Sequence, residues 1–493
     1  MGKGKRTFMP QRKVVVPSGP HLHFEIMSTR LLHAAVWASA LVPMAAHAQP
    51  TWNLGTTVLT ETNLVTGVQL PWEILWGPDD HLWVTTRPGD VLRVDPATGI
   101  YTTVLELTVM NNGSGEPGLL GMAMHPEWES TPKVFLVYCT GSGASGSERL
   151  SVFDWDGVSL VNEQVLLTIS AGGIHNGSRL LVLPDNTLLM TTGDVGNTGN
   201  AQNLNSSQGK ILRLNLDGSI PADNPDPTSA VYTYGNRNAQ GLALGPDGIV
   251  YSSEHGQNSD DELNIVLPGR NYGWPTVQGL CNTASEQTFC EANNVMEPLK
   301  VWTPCVAVNG LEYYNHPAIP EWQHSLLLSV LGGLNGQYER LSVLHLSADG
   351  QSITSEDQWF SSFNQRVRDI AVNPYDGSVY VALNGVSYPG SGPNIIKQFR
   401  NASFGVDVAE HAETPAPSAY PVPASDLLTL EIPQEWQGSE VRMFSYTGSQ
   451  VAAFRADASH EVVEVQDWSE GLYFAALEAP DGRKWTVTFS VVR

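Results

Sequence analysis

The stretch Gly245-Pro246-Asp247-Gly248-Ile249-Val250-Tyr251-Ser252-Ser253-Glu254-His255-Gly256 decides how this chain folds. Its first four residues are a proline-led turn, and the apolar and aromatic residues after it favour a strand. The phrase recurs. GPDD (77–80) precedes HLWVTT, HPEW (125–128) precedes KVFLVY, and LPDN (183–186) precedes TLLMTTGD. IPEW (319–322) precedes SLLLSV, and NPYDG (373–377) precedes SVYVAL. The six prolines, at 78, 126, 184, 246, 320 and 374, lie 48 to 74 residues apart. Propeller blades repeat at about 40–50 residues, and inserted loops lengthen the period. Six turns therefore predict six blades of an all-β propeller, with DVLRVDPATG and KILRLNLDGS as further hairpin strands. A propeller buries strand faces between its blades and leaves the loops at one channel mouth free to build a site. The residues just after the repeated strands, Thr86-Arg87, Gly193-Asp194 and Glu254-His255, are the first places to look for chemistry.

Composition agrees with that fold. The chain has 493 residues with 46 Gly, 32 Pro, 14 Trp and only 15% charged residues, which suits many turns between buried strands. Its formal net charge of -24 argues against nucleic acid, whose phosphates require Lys and Arg. Met27 to Ala48 reads MSTRLLHAAVWASALVPMAAHA, with a basic start, an apolar middle and a small-residue end. That is a secretory signal peptide with cleavage expected after Ala48. The basic stretch before Met27 reads either as the result of an upstream start codon or as a long basic leader. No segment has the run of about 18 apolar residues that a membrane span needs. Of the four cysteines, Cys281 and Cys290 flank a polar loop and are the favoured disulfide. Cys139 and Cys305 either form a second bond or stay free.

The strand of the opening stretch runs into GQNSDDELN (256–264), followed by GRNYGWP (269–275). Carboxylates, amides and carbonyls crowd this loop, as a calcium ion requires of its six to eight oxygen ligands. A solvated acidic loop is the plainer reading.

Six segments in order carry a resemblance. They are GEPGLLGMAMHP (115–126), HNGSRLLVLPD (175–185), QGKILRLNLDGSIPADNP (208–225), YGNRNAQGLAL (234–244), EHGQNSDDELNIVLPGRNYGWP (254–275) and NQRVRDIAVNPYDG (364–377). Residues about 55–400 resemble the soluble glucose/sorbosone dehydrogenase family, six-bladed propellers that use pyrroloquinoline quinone (PQQ) and calcium. The resemblance implies oxidation of an aldose or related alcohol, with electrons passing to an external acceptor. His175 matches the general base, a task suited to an imidazole near neutral pH. Arg237 and Asn238 match a pair on the quinone, where a guanidinium stabilises developing negative charge. Arg366 and Arg368 match two arginines that meet the cofactor, whose three carboxylates call for cations. Their spacing puts both on one face of a strand. Glu116 and His255 stand at two further cofactor positions. Gly256 and Gln257 match carbonyls holding the calcium that grips PQQ, and Asp261, Glu262, Tyr272 and Gln278 match a second, structural calcium site. Glu262 is the foremost side-chain ligand there, Tyr272 and Gln278 give backbone oxygen, and Asp260 is left to solvent.

The chain also departs from the family pattern. Glu116 and His255 each replace a glutamine, Gln257 replaces a proline, and Ile174 replaces an aspartate before the base. A lysine that meets the cofactor carboxylates aligns with Gly332, and the nearest cation along the chain is Arg340. A non-catalytic calcium-binding propeller recognising a glycan or protein is therefore the alternative.

After Phe399 the composition shifts. The expected boundaries are 1–48 for the leader, 49–403 for the propeller, 404–423 for a Pro/Ala linker containing AEHAETPAPSAYPVP (409–423), and 424–493 for a small β-sandwich. YPVPASDLLTLEIP (420–433), VRMFSYTGSQV (441–451) and GLYFAALEAPDGRKWTVTFSVV (471–492) resemble a type IX secretion sorting domain. That implies the type IX machinery as a partner and a secreted or surface-attached product.

Overall fold

The computed structural model describes residues 49–493, apart from 111–114, 143–145, 334–336, 389, 391, 393, 405–416, 447 and 481–482. The expected leader, its cleavage site and most of the expected linker lie outside the described residues.

Six antiparallel sheets form the blades. Blades 1 to 5 span residues 71–106, 119–170, 180–234, 239–302 and 308–359 in chain order, each with four strands. Blade 6 takes three strands from 367–401 and completes its sheet with Val58–Val68 from the start of the chain. This closure leaves no free end in the ring. Every proline-led turn of the sequence repeat feeds the second strand of a blade: Leu82–Thr86, Lys133–Thr140, Thr187–Thr192, Val250–Glu254, Ser325–Val330 and Val379–Leu383. These strands are buried on both faces, so they read as apolar runs. Six apolar clusters fill the gaps between neighbouring blades, as with Ile74, Val84 and Val94 of blade 1 against Tyr380, Ala382 and Ile396 of blade 6.

The first strand of a blade lines the channel, and it is bulged near its start in blades 1, 2, 4, 5 and 6. A bulge adds a residue opposite its partner strand and re-aims side chains. Trp72, Gln240 and Arg368 are extra residues of this kind. Deeper in the channel, Arg179 of the HNGSR segment bridges blades. Its Nη1 is 3.0 Å from Glu73 Oε1 and 3.1 Å from Asp369 Oδ2, and its Nε donates to Gln240 O at 2.8 Å.

Residues 281–295 contain a helix, Ala284–Asn293, in place of the polar loop expected there. Thr283 and Glu286 form its capping box, and the Cys281–Cys290 disulfide staples it. Cys139 and Cys305 are both free. In the C-terminal sandwich, one sheet pairs Ser418–Tyr420, Leu427–Glu431 and His460–Glu464, and the other has Gln450–Ala456, Ser439–Ser445, Gly471–Glu478 and Lys484–Val491. Val441, Met443, Tyr473 and Phe489 are in its core. The sandwich thus begins by Ser418, earlier than the expected 424, because that strand pairs with Leu427–Glu431. Among the described residues, no helix is long and apolar enough to cross a membrane.

Candidate functional site

Because adjacent strands are antiparallel, the start of each first strand and the end of each second strand meet at one mouth of the channel. There they enclose a cavity of about 490 Å³. Glu116, His175, Arg237, Asn238 and Arg366 precede first strands, Arg368 is the bulged residue of one, and Arg87 and His255 follow second strands. All of them line the cavity.

His175 sits in a tight loop with φ +56, a conformation that a non-glycine residue holds only when its surroundings impose it. Three contacts do so. Glu116 Oε2 accepts from His175 N at 2.7 Å, Asn238 Oδ1 accepts from Gly177 N at 3.0 Å, and His175 O packs onto Gly193. A Cβ at Gly193 would stand 2.0 Å from that oxygen, so only glycine fits. The His175 ring is held by Asp194, whose Oδ1 is 2.7 Å from Nδ1. Asp194 Oδ2 accepts from Trp274 Nε1 at 3.0 Å. Burial opposes ionisation of Asp194, but hydrogen bonds from His175, Gly196 N and Trp274 outweigh it and hold the carboxyl below its ordinary range. A carboxylate on Nδ1 fixes the proton there and leaves the lone pair on Nε2, the tautomer a base requires.

The wall around this pair is cationic. Arg237 donates to His255 O at 3.1 Å, and its guanidinium lies 5.3 Å from the Trp274 ring centre. Arg368 lies 4.6 Å from the Trp72 ring centre and Arg366 5.7 Å from that of Tyr388. Burial, then Arg179, lowers Arg368 to about 9. Burial, then Arg237 and Arg368, drops His255 far below the usual imidazole range and keeps it neutral. Arg237 Nε, Arg368 Nε and His255 Nε2 are buried without a hydrogen-bond partner.

Residues 68–388 match the profile of the glucose/sorbosone dehydrogenase family. This chain belongs to that family. An uncharacterised Synechocystis protein is 36% identical over 347 residues, covering 64% of this chain and 82% of its own. Quinoprotein glucose dehydrogenase B of Acinetobacter calcoaceticus is 34% identical over 254 residues, covering 44% of this chain and 52% of its own. The PQQ-bound aldose sugar dehydrogenase of Streptomyces coelicolor superposes with TM-score 0.59 and 29% identity, over 72% of this chain and 99% of its own. Residues 418–491 match the secretion system C-terminal sorting domain. The family makes the protein a sugar oxidoreductase, and the sorting domain makes it secreted or outer-surface bound.

The structure splits the acidic loop of this dehydrogenase in two. Gly256, Gln257 and Asp261 line the main cavity. Glu262, Tyr272 and Gln278 line a small adjoining void of about 10 Å³, together with Glu254 and Asp260. Asp261 and Glu262 are neighbours on one strand and face opposite ways, so they do not serve one site. Asp261 instead accepts from Gly256 N at 2.8 Å, Val306 N at 2.7 Å and Ala307 N at 2.6 Å. Asp260, expected in solvent, reaches the void and bonds Thr303 Oγ1 and Ser259 Oγ. The Tyr272 hydroxyl is spent on Ile265 O at 2.6 Å. Burial, then Glu254, pushes Glu262 up to about 8, and burial raises Glu254. Two buried carboxylates facing one ion-sized void repel each other unless a proton or cation lies between them. Among the described residues, no group of three or more His, Cys, Asp or Glu side chains is arranged to hold a metal, so backbone oxygens must complete any ion site.

Arg340 turns away from the cavity and pairs with Glu356 at 3.1 Å. Sequence reasoning singled out Arg87, Asp194 and Glu254 by their place at the ends of repeated strands but gave them no role in the site.

Proposed function

We propose that this protein is an exported PQQ- and calcium-dependent dehydrogenase that oxidises an aldose or related alcohol, with His175 as general base. The observation that carries this reading is the His175 Nδ1–Asp194 Oδ1 contact of 2.7 Å at the edge of an arginine-rich cavity. A recognition module has no need of a base with its tautomer fixed. The buried, unpartnered Nε atoms of Arg237 and Arg368 fit a polyanionic ligand, which would supply the acceptors they lack.

When bound, PQQ supplies the quinone that accepts hydride from the sugar carbon. The remaining work falls to the protein. His175 Nε2 takes the hydroxyl proton, and Asp194 holds the resulting imidazolium by its Nδ1–H. Arg237 stabilises negative charge developing at the quinone oxygen. Arg366 and Arg368 bind carboxylates, and Asn238 keeps the His175 loop in place through Gly177 N. One calcium would be held by the carbonyls of Gly256 and Gln257, and a second by Glu262 with backbone oxygen from Tyr272 and Gln278. Electrons leave to an external acceptor. The leader would be removed after Ala48, and residues 418–491 would engage the type IX secretion machinery.

The test is titration with PQQ in millimolar calcium, following the quinone spectrum, with dye reduction by a panel of aldoses. Saturable binding with turnover is expected for the wild type, and binding without turnover for His175→Ala. Retained turnover in His175→Ala refutes the base assignment.

A further inference from the structure

Strand pairing in blade 4 stops just short of the residues that face the chemistry. The last paired residues of its first two strands are Ala239 and Glu254. Asn236, Arg237 and Asn238 lie before the first strand, outside that ladder. Their backbone N–H groups still need acceptors, because unpaired donors are costly away from water. The Glu254 side chain supplies them. Its Oε1 accepts from Arg237 N, and from Asn238 N at 3.2 Å, while its Oε2 accepts from Asn236 Nδ2 at 2.9 Å. Glu254 is only 4% exposed, so water competes little for these contacts.

The segment held in this way carries three parts of the site. Arg237 lines the cavity. Its carbonyl accepts from Asp194 N at 2.8 Å, behind the carboxylate that orients His175. Asn238 Oδ1 accepts from Gly177 N at 3.0 Å, two residues after His175. One buried carboxylate thus stands behind the guanidinium, the acid that orients the base and the loop that carries the base. Glu254 itself lines the small void rather than the main cavity, so it reaches the chemistry only through these residues.

We propose that Glu254 is a positioning residue for the oxidation, fixing Arg237 and the His175–Asp194 pair in register with each other through the Asn236–Asn238 segment. The inference rests on the proposed function, in which His175 is the base and Arg237 faces the quinone. The segment needs acceptors at these places rather than a charge. Glutamine meets that need. Its Oε1 accepts from both N–H groups, and its NH₂ donates to the Asn236 amide once that amide turns around. Thr233 Oγ1, which donates to Asn236 Oδ1 at 3.0 Å, then accepts from the turned amide instead. Alanine leaves the segment without acceptors, and aspartate keeps the charge but withdraws it by one methylene. A misplacement of about 1 Å costs about 10²-fold in rate, the loss of kcat expected in Glu254→Ala and Glu254→Asp. Glu254→Gln stays within about tenfold of wild type, the worth of one hydrogen bond.

The experiment compares full-length wild type with Glu254→Gln, Glu254→Asp and Glu254→Ala over a range of calcium concentrations. Dye-linked aldose oxidation gives kcat, quinone absorbance gives PQQ affinity, and thermal unfolding without PQQ reports the fold. The expected result is a loss of kcat in Glu254→Ala and Glu254→Asp larger than their loss of PQQ affinity, because Arg366 and Arg368 belong to blade 6 and stay in place, with recovery in Glu254→Gln. A kcat in Glu254→Ala within about threefold of wild type marks a purely structural role and overturns the proposal. Higher activity in Glu254→Asp than in Glu254→Gln shows that charge is what matters and also overturns it. So does recovery of Glu254→Ala at high calcium, which marks a metal ligand. If Glu254→Ala does not fold, Glu254→Gln against Glu254→Asp decides by the same measurements. A wild type that binds no PQQ, or binds it without turnover, removes the proposed function itself, and the inference falls with it.

Discussion

Replacing Asp194 by Asn tests how the base is set. Asp194 is 1% exposed, and each of its oxygens faces donors. Oδ1 accepts from Gly196 N at 2.8 Å and faces His175 Nδ1 at 2.7 Å, while Oδ2 accepts from Trp274 Nε1 at 3.0 Å. An asparagine keeps the shape, but one of its two positions becomes a donor. If the NH₂ faces His175, it also faces Gly196 N–H, and the imidazole proton must move to Nε2, where it blocks the base. If the NH₂ faces Trp274, two N–H groups oppose each other at a cost of about 1–3 kcal/mol, and His175 loses its anionic partner. Losing that charge-assisted bond alone is worth about 1.5–3 kcal/mol, or ~10- to 150-fold in rate. Losing the tautomer adds a share of the ~10²–10⁴ that general-base catalysis provides. The expected fall in kcat is therefore about 10²- to 10⁴-fold. The assay is dye-linked aldose oxidation at saturating PQQ and calcium across about pH 5–9, the range in which an imidazole titrates, with PQQ affinity measured alongside. A kcat within about threefold of wild type and an unchanged pH profile refute the reasoning. A parallel collapse of PQQ affinity would show that Asp194 shapes the cavity rather than the base.

Three further outcomes are expected. Glu262→Gln lowers the thermal midpoint more in calcium than in EDTA, since an ion that binds only the folded state stabilises it; equal losses in both refute a cation at that void. Glu148 is buried, with Ser178 Oγ on one oxygen at 2.7 Å and none on the other, and burial pushes it up to about 8. Its folded pKa lies above its unfolded one, so stability falls as pH rises from about 4.5 to 8; Glu148→Gln should match wild type near pH 4 and exceed it above pH 8 by at most ~5 kcal/mol, measured by denaturant unfolding. Deleting residues 418–493 should leave oxidation unchanged in the purified propeller and keep the protein from the medium or cell surface; export of the truncated chain refutes the sorting role.

The fold was legible because its signal repeats. Each proline-led turn announces a strand buried on both faces, and six such turns specify six blades whatever the loops between them contain. The helix Ala284–Asn293 was not legible as an apolar pattern because none of its residues is buried. Its one readable mark was Thr283 with Glu286 three residues on, the spacing of a capping box. Asp261 and Glu262 were assigned to one ion site through the resemblance, and strand alternation separates adjacent residues by construction. The same rule brings Asp260 to the void that Glu262 faces. Glu148 left no mark at all, since nothing in RLSVFDW or its neighbours shows that an acid will be enclosed.

The site itself follows from two repeat positions, the residues before each first strand and the residues after each second strand. Antiparallel pairing brings both to the same mouth in every blade, so residues far apart in the chain, such as Arg87 and Arg366, converge without any local motif. The chain carries a formal charge of -24 with 26 Lys and Arg in all, yet Arg87, Arg237, Arg366 and Arg368 line one cavity. Positive charge is thus gathered at the mouth of the channel although the chain as a whole is acidic. Any blade offers two positions that reach the same cavity, one before its first strand and one after its second. The ring, rather than any one loop, is the unit that holds the charge.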